Sequence, residues 1–340
     1  MGKLTLLGLL ALTRLPEPFA ALWFAGRLRT VDGRRIDPKA QAVGELFNSV
    51  RKPGVVPTLA ESRASLQLLA AKFDRPCPAG VTRRDTVLPG AAGDRPARIY
   101  DTHPDRTDRP CLLFLHGGGW VQGGLDTHDG LCGQIALEAG LRVIALDYRL
   151  APEHKFPAGL DDCAAAWRAL CADPGRWGVD PARLAVGGDS AGGNLTAALM
   201  HLLAGQPRPI AQVLIYPAVE SGMDTPSMRA MHDAYVLPTE RVGWYLDQYL
   251  PEGQDRDDPR LAPILSPHLA GQPPALIVHA GHDPLWDDGR LYAEALEAAG
   301  VPVTLLPYPG QIHAFVSIRR ASPQGVDAVR RIGAWLKARL

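Results

Sequence analysis

The chain has 340 residues, and 36 Lys and Arg residues balance 36 Asp and Glu residues, so its formal net charge is zero. This balance argues against a protein that binds nucleic acid or another polyanion, because such proteins usually carry a basic excess or a basic face. With 46% hydrophobic and 21% charged residues, the composition is near the globular average, which argues against a largely disordered chain.

The first 25 residues resemble a signal peptide only in part. Lys3 precedes the apolar stretch Leu4–Leu12, but Arg14 and Glu17 interrupt the pattern, and no small-x-small cleavage site follows before Arg27. We therefore predict a surface or lid helix here rather than a cleaved signal. No stretch of the sequence has the roughly 18 apolar residues that span a bilayer, so we expect no stable membrane insertion, although this segment could contact a membrane interface.

From about residue 83, short apolar runs alternate with helical patterns, which predicts an α/β fold with a mostly parallel sheet and helices on both of its faces. The central runs are continuously apolar, as expected for strands that are buried on both faces. The predicted strands are Thr86–Leu88, Ala97–Asp101, Cys111–Leu115, Arg142–Asp147, Arg183–Val186, Gln212–Tyr216, Ala275–Ala280 and Val303–Tyr308. The predicted helices between and after them are Asp129–Ala139, Leu160–Cys171, Gly192–Ala204, Asp288–Ala299 and Gln324–Leu340.

Two segments interrupt this alternation. Residues 1–82 hold the helical patterns Lys39–Phe47 and Thr58–Phe73, and residues 218–272 hold Thr239–Leu250 between turns rich in Pro and Asp. Insertions of this length in an α/β core often cover an active site. We expect both segments beside the carboxyl ends of the strands, where open parallel sheets bind ligands.

The sharpest local signal is G-G-D-S-A-G-G at residues 187–193, which contains the pattern G-x-S-x-G around Ser190. It lies directly after the predicted strand Arg183–Val186 and directly before a predicted helix, as a nucleophile elbow requires. The N-terminus of that helix directs unpaired N–H groups toward developing negative charge. The alternative is a glycine-rich loop that binds phosphate. It is weak because neither G-x-x-x-x-G-K-[ST] nor G-x-G-x-x-G follows a strand here.

A second glycine cluster, H-G-G-G-W at residues 116–120, ends the predicted strand Cys111–Leu115. Consecutive glycines let the backbone approach a substrate and offer N–H groups to an oxyanion. By itself a glycine triplet is more often a flexible turn, but after a buried strand and together with the elbow it is specific. We expect His116 to orient this loop by hydrogen bonding and not to act as a base.

A nucleophilic serine needs a base, and the base needs an acid that orients it. In α/β hydrolases the chain order is Ser, then Asp or Glu, then His. Asp283 follows the predicted strand Ala275–Ala280, and His313 follows the predicted strand Val303–Tyr308, so both could converge on Ser190.

The polar residues next to Asp283 are expected to have different roles. His279 lies inside a buried strand and is expected to be a packed core histidine, and His282 could be a pocket residue. Asp287 and Asp288 are expected to cap the helix that follows them.

Five motifs in order make the sequence resemble a known family. They are H-G-G-G-W at 116–120, D-Y-R-L-A-P-E at 147–153 with Phe156-Pro157-Ala158, G-D-S-A-G-G-N at 188–194, D-P-L at 283–285 and H-A-F at 313–315. Together they are similar to the hormone-sensitive-lipase-like esterases, the G-D-S-A-G branch of the α/β-hydrolase fold, over roughly residues 36–340. His282 and Trp286 flank D-P-L where the family varies, and Ala314 replaces a frequent glycine, which leaves the substrate preference open.

The resemblance implies one α/β-hydrolase domain over residues 1–340, with an eight-stranded sheet and a two-part helical cap. The cap corresponds to residues 1–82 and 218–272, and the catalytic core to residues 83–217 and 273–340. It also implies oxyanion donors at the backbone N–H groups of Gly118, Gly119 and Ala191. The mechanics of the elbow predict Ala191 independently, because the residue after the nucleophile normally donates.

We therefore predict a serine carboxylesterase that uses Ser190, Asp283 and His313, needs no cofactor or metal, and hydrolyses short- to medium-chain esters as a monomer or homodimer. The apolar pocket is expected to include Trp120, with Phe19, Trp23, Tyr235 and Trp244 as further candidates from both cap segments, although ordinary core packing explains these aromatic residues equally well. Two alternatives are an amide or N-acetyl hydrolase with the same triad and a non-catalytic binding protein on the same scaffold. The binding protein is disfavoured because all three triad residues are present.

The cysteine pattern points to a reducing compartment. The number of cysteines is odd and none forms a C-x-x-C pair, so buried free thiols are favoured over a disulfide or zinc framework. A cytoplasmic location fits best. The five residues are Cys77, Cys111, Cys132, Cys163 and Cys171.

Overall fold

The computed structural model describes residues 3–51 and 57–340, so residues 1–2 and 52–56 of the first predicted cap segment lie outside the described residues. The strands are β1 (Thr30–Val31), β2 (Arg34–Arg35), β3 (Thr82–Gly90), β4 (Gly93–Asp101), β5 (Arg109–Leu115), β6 (Arg142–Leu146), β7 (Val179–Asp189), β8 (Ala211–Ile215), β9 (Ala275–His282) and β10 (Val303–Ile312). The α-helices are α1 (Lys3–Arg14), α2 (Glu17–Trp23), α3 (Pro38–Val50), α4 (Leu59–Phe73), α5 (Asp129–Ala139), α6 (Ala158–Ala172), α7 (Ala191–Leu202), α8 (Pro226–Ala230), α9 (Thr239–Tyr249), α10 (Trp286–Ala298) and α11 (Pro323–Lys337).

Eight strands form one sheet in the order β10-β9-β8-β7-β5-β6-β4-β3. Neighbouring strands are parallel from β10 across to β6, whereas β4 pairs antiparallel with both β6 and β3. The mostly parallel eight-stranded sheet of an α/β-hydrolase fold is therefore confirmed. Parallel strands end at the same edge of a sheet, so the residues that follow β7, β9 and β10 are brought to one place.

The alternation of side chains along β5 explains how the sheet is covered on both faces. Leu113 and Leu115 point into a cluster with buried residues of α6 and α7, whereas Leu112 and Phe114 point into a second cluster with residues of α5 and α11. All four side chains are at most 1% exposed. Burial of each stabilises the fold by roughly 1.5–3 kcal/mol, which explains why the apolar runs of the sequence predicted the central strands well.

A short hairpin formed by β1 and β2 was not predicted. Its turn residues Asp32 and Gly33 have φ values of +48° and +76°, the left-handed conformations that an Asp-Gly hairpin turn uses. Arg34 in β2 donates from Nε to the carbonyl of Gly281 at 2.9 Å, so the hairpin contacts the end of β9 directly before Asp283.

The cysteines and the helix lengths bear on two further expectations. All five cysteines are free thiols, of which Cys111, Cys132 and Cys163 are buried. Within residues 3–51 and 57–340, every helix is too short or too polar to cross a lipid bilayer.

Candidate active site

Three strands of the sheet end one residue before the three predicted triad residues. β7 ends at Asp189, β9 at His282 and β10 at Ile312, and these strands are parallel with only β8 between β7 and β9. Ser190, Asp283 and His313 therefore leave the same edge of the sheet. The sequence separates the first and last of them by more than a hundred positions, and the parallel topology removes that separation.

The side chains of these residues form a continuous hydrogen-bonded chain. His313 Nδ1 lies 2.6 Å from Asp283 Oδ2, and His313 Nε2 lies 3.0 Å from Ser190 Oγ. Asp283 is fully buried, and its second oxygen accepts from the N–H group of Leu285 at 3.0 Å. Because the carboxylate can only accept, the imidazole carries its proton on Nδ1, and Nε2 is free to accept the serine hydroxyl proton.

Ser190 has the strained backbone of a nucleophile elbow. Its φ of +55° and ψ of −119° lie outside the regions that residues with a side chain favour, at a cost of about 1–3 kcal/mol. The turn has no room for larger neighbours: a Cβ atom on Gly192 would lie 1.9 Å from the carbonyl oxygen of Leu115, and one on Gly188 would lie 2.3 Å from it. These glycines are therefore required by the close approach of the elbow to β5.

The glycine loop and the elbow both border the cavity in front of Ser190. Gly118, Gly119 and Ala191 line the cavity in front of Ser190. Ala191 begins α7, where the first N–H groups have no partner within the helix. Within the described residues, none of the three N–H groups donates a hydrogen bond to the protein. The arrangement can therefore donate to an oxygen held beside Ser190 Oγ.

Three hydrogen bonds fix the shape of the glycine loop and its place in the fold. Gly117 N–H donates to Asp189 Oδ1 at 2.9 Å, and His116 Nδ1 donates to the carbonyl oxygen of Gly117 at 2.9 Å. The hydroxyl of Tyr148 donates to the carbonyl oxygen of His116 at 2.6 Å, while its ring stacks on the imidazole of His116 at 4.4 Å between centroids. His116 thus contacts the loop and not Ser190, in the position expected for it.

The cavity beside Ser190 has a volume of about 110 Å³ and a mostly apolar wall. α4 and the segment 218–272 both contribute to that wall, together with the glycine loop and the residues after β9. The apolar lining residues are Leu66, Leu69, Ala70, Trp120, Ala191, Ala218, Val236, Leu237, Val242, Tyr245, Leu285 and Ala314. Trp120 is held in place by stacking on Tyr249, with ring centroids 4.6 Å apart.

Four of the proposed pocket aromatics lie elsewhere. Tyr235 packs with α3 and under the guanidinium of Arg29, and Trp244 packs under the guanidinium of Arg241, so their neighbours in the sequence line the cavity instead. Phe19 and Trp23 are 54% and 42% exposed on α2. The aromatic residue of α9 that lines the cavity is Tyr245 and not Trp244. The hydroxyl of Tyr245 accepts from Gln122 Nε2 at 2.8 Å.

The acidic pair at the start of α10 does not cap that helix. Asp288 Oδ1 accepts from the N–H groups of Val219 and Glu220, and Asp287 Oδ2 accepts from the N–H group of Ser227 at 2.8 Å. The side chains of Asp287 and Asp288 therefore fasten the segment 218–272 to α10. The expectation that Asp287 and Asp288 cap α10 was wrong, because both side chains accept hydrogen bonds from N–H groups of the segment 218–272 instead.

The remaining histidines near Asp283 are packed residues. His279 is buried in β9, and its ring stacks on Trp286 at 4.0 Å between centroids. Burial lowers the pKa of His279 to about 4, so this side chain is neutral at pH 7. His282 is also buried and does not line the cavity, contrary to its expected place in the pocket.

His128 is a polar residue of the cavity wall that the sequence did not single out. Its Nε2 lies 3.1 Å from Oδ1 of Asp189, directly behind the glycine loop.

Within the described residues, no group of three or more His, Cys, Asp or Glu side chains is arranged to hold a metal ion.

Known proteins share both this fold and this sequence pattern. A family model described as alpha/beta hydrolase fold matches residues 112–317. The carboxylic ester hydrolase LipN of Mycobacterium tuberculosis is 36% identical over 100% of this chain and 92% of its own length, and an ethyl acetate hydrolase of Pseudomonas putida is 40% identical over 74% of this chain and 80% of its own length. The crystal structure of LAE6, an alpha/beta hydrolase from the metagenome of Lake Arreo, superposes with a TM-score of 0.85 at 36% identity, covering 89% of this chain and 98% of that one.

The strained serine directly after a central strand and the buried His–Asp pair beside it are the features by which α/β hydrolases are recognised, and the matches extend over most of the chain. Within that class, the chain belongs to the hormone-sensitive-lipase-like esterases. The resemblance predicted from the five ordered motifs is thereby confirmed.

Proposed function

We propose that the protein hydrolyses short- to medium-chain carboxylic esters through an acyl-enzyme intermediate on Ser190. The observation that carries the proposal is the hydrogen-bonded chain from Ser190 Oγ through His313 to Asp283, with links of 3.0 and 2.6 Å. Both distances lie within the range of about 2.6–3.2 Å that general base catalysis requires between the donor and acceptor atoms.

In the first half of the reaction, Ser190 Oγ attacks the ester carbonyl carbon while His313 Nε2 takes the hydroxyl proton. The carbonyl oxygen becomes an oxyanion that accepts from the N–H groups of Gly118, Gly119 and Ala191. Removal of one such donor typically lowers kcat by about 10²–10³-fold. The intermediate collapses when the bond to the alkoxy oxygen breaks, and His313 delivers its proton to the departing alcohol.

In the second half, a water molecule gives a proton to His313 Nε2 and attacks the acyl carbon. The second tetrahedral intermediate releases the carboxylic acid, and the proton returns to Ser190 Oγ. Asp283 remains ionised throughout, fixes the Nδ1 tautomer and stabilises the imidazolium of His313. After the reaction with water, the three side chains are therefore back in their starting protonation states.

The size of the cavity supports small substrates. Its volume of about 110 Å³ lies below the roughly 300–1,000 Å³ of pockets that take drug-sized ligands, which suits a short acyl group. Residues of α4 and of the segment 218–272 form much of the apolar wall, which supports the proposed division into a cap (1–82 and 218–272) and a catalytic core (83–217 and 273–340). An uncharged ester also needs no electrostatic steering, in keeping with the zero net charge of the chain.

We also propose a cytoplasmic location and a monomeric or homodimeric state. The five free thiols support a reducing compartment. Size-exclusion chromatography with light scattering decides between monomer and dimer, and fractionation of the host cell tests the location.

The activity is tested with p-nitrophenyl esters of increasing acyl length, from acetate to dodecanoate, beside the matching anilides. We expect the highest kcat/KM at short acyl chains, little anilide turnover, and loss of activity in Ser190→Ala. Ser221→Ala is the matched control, because this serine binds the carbonyl oxygen of Arg256 and lies outside the cavity wall. The proposal is wrong if wild-type protein has no ester turnover at pH 7–8 or if Ser190→Ala retains it.

A further inference from the structure

Asp189 connects the two parts of the proposed oxyanion hole. Its carboxylate accepts from the N–H group of Gly117, one residue before Gly118, and its own position in the chain is two residues before Ala191. The two residues are so close that position 117 has no room for a side chain, since a Cβ atom on Gly117 would lie 2.6 Å from Asp189 Oδ2. The same carboxylate therefore sets the distance between the glycine loop and the elbow.

A buried histidine faces that carboxylate. His128 Nε2 lies 3.1 Å from Asp189 Oδ1, the oxygen that also accepts from Gly117. The relative exposure of both residues is 4%. An ionised carboxylate at this depth needs a positive partner, because the cost of removing a lone charge from water is several kcal/mol.

The hydrogen bonds around His128 require protons on both ring nitrogens. Nε2 faces a carboxylate, which only accepts. Nδ1 lies 2.9 Å from Thr127 Oγ1, and the single hydroxyl proton of Thr127 is donated to the carbonyl oxygen of Gly124 at 2.9 Å. Nδ1 must therefore donate as well, and a histidine that donates from both nitrogens is an imidazolium cation.

The surrounding charges favour this cation. Burial alone would lower the pKa of His128, but the carboxylate of Asp189 and, at longer range, that of Asp74 outweigh it and raise the pKa. Burial alone would raise the pKa of Asp189, but His128 and the Gly117 N–H group reverse the direction and lower it. Asp74 is itself paired with Arg319 at 2.7 Å, so it is not the principal partner of His128.

We infer that His128 is a positioning residue for ester hydrolysis, which acts as the buried counter-ion of Asp189 and thereby holds the glycine loop against the nucleophile elbow. The inference rests on the proposed function of the glycine loop as an oxyanion hole. His128 does not contact Ser190 or the ester, so its effect reaches the reaction through Asp189 and Gly117.

The first test separates kcat from KM. In His128→Gln the side chain keeps a donor for Asp189 but loses its charge, and in Asp189→Asn an acceptor for Gly117 remains without a charge. We expect kcat for p-nitrophenyl butyrate to fall about 10–100-fold in either variant, with KM changed less than about threefold, because oxyanion donors act in the transition state. The rates are expressed per active site titrated with a p-nitrophenyl phosphonate, so unfolded protein does not contribute.

The second test asks whether His128 acts through Asp189. If it does, adding His128→Gln to Asp189→Asn lowers kcat no further, because no carboxylate charge remains to be paired. His154→Gln is the control for the residue type, since His154 is exposed and does not line the cavity, and it should keep the wild-type kcat. If His128→Gln does not fold, the comparison of Asp189→Asn with the double variant decides the question, because neither of them holds an unpaired buried carboxylate.

The possible results differ from one another in kcat and in stability. The inference is overturned if the folded single variants keep kcat within about twofold of wild type, or if the two losses multiply in the double variant. A merely structural role would lower the unfolding temperature and the titrated fraction while leaving kcat per titrated site unchanged. Absence of ester turnover in the wild-type protein would refute the proposed function instead.

Discussion

Gly119 offers the strictest test of the proposed oxyanion hole. Its φ is +60°, and a Cβ atom added there would lie 2.3 Å from Cγ and Cδ1 of Tyr245. The ring lies across the cavity wall and its hydroxyl is bound by Gln122, so it has little freedom to move. In Gly119→Ala, the loop itself must therefore shift.

The size of the shift follows from the contact. Ordinary van der Waals contact begins at 3.4 Å, so the Cβ atom and the ring must separate by about 1.1 Å. A misplacement of about 1 Å in a positioned group costs about 10²-fold in rate, or about 2.7 kcal/mol in the activation barrier. We therefore expect kcat for p-nitrophenyl butyrate to fall about 100-fold, with a smaller change in KM.

Two further variants separate the clash from backbone strain. Gly140 has a similar φ of +66° but open space around its Cβ position, so Gly140→Ala carries the strain of about 1–3 kcal/mol without a clash. It should lower the unfolding temperature and leave kcat unchanged. Adding Tyr245→Ala to Gly119→Ala removes the ring and should recover part of the lost kcat.

The measurements are kcat and KM per phosphonate-titrated site, together with thermal unfolding of each variant. The proposed role of Gly119 is refuted if Gly119→Ala has the kcat of Gly140→Ala, because the loop would then tolerate the displacement. It is also refuted if removal of the Tyr245 ring leaves the kcat of Gly119→Ala as low as before.

Three other changes test the surrounding charges. Asp283→Asn should lower kcat about 10⁴-fold in the ester assay with little change in KM, because an amide can donate to Nδ1 of His313 and so favours the wrong tautomer. Burial and the nearby Glu220 raise the pKa of Asp288, so the folded state holds a proton that the unfolded state releases above about pH 4. The free energy of unfolding of the wild type therefore falls as pH rises toward the folded pKa of Asp288, whereas that of Asp288→Asn does not. In urea unfolding from pH 5 to 8, the free energy of unfolding of the variant should rise relative to that of the wild type by up to about 1.4 kcal/mol per pH unit. Parallel pH profiles of the two proteins would contradict this. Arg319→Met should lower the free energy of unfolding by about 3–5 kcal/mol in urea, because the buried carboxylate that Arg319 binds at 2.7 Å, on Asp74, would lose its partner.

The sequence was most informative where one physical requirement acts alone. The runs that became β5 and β6 had to be apolar on both faces, so they identified the central strands. Ser190 had to lie in a glycine-flanked turn between strand and helix, which few other arrangements require. The chain order of acid and base then left Asp283 and His313 as the candidates that directly follow strands of the same sheet.

The wall of the cavity could not be predicted in the same way. Trp244 and Tyr245 are adjacent on α9, where successive side chains point about 100° apart, and either aromatic could have faced the cavity. Only the position of Arg241 over Trp244, and of Gly119 against Tyr245, decides between them. His128 gave no signal, because its significance depends on the carboxylate of Asp189 that the fold brings beside it.

Hydrogen bonds also connect the cavity wall with the residues that follow the glycine loop. Gln122, just beyond the glycine loop, binds Ser62 of α4 and the hydroxyl of Tyr245 of α9, and Arg63 of α4 donates to the carbonyl oxygen of Val121 at 2.9 Å. Both proposed cap segments are thus hydrogen-bonded to the backbone or side chains that follow the oxyanion donors. We therefore expect a substitution in either proposed cap segment that reshapes the cavity to move the proposed oxyanion donors too. Changes of acyl preference in this protein should therefore appear in kcat as well as in KM, unlike those of a pocket that is independent of the oxyanion loop.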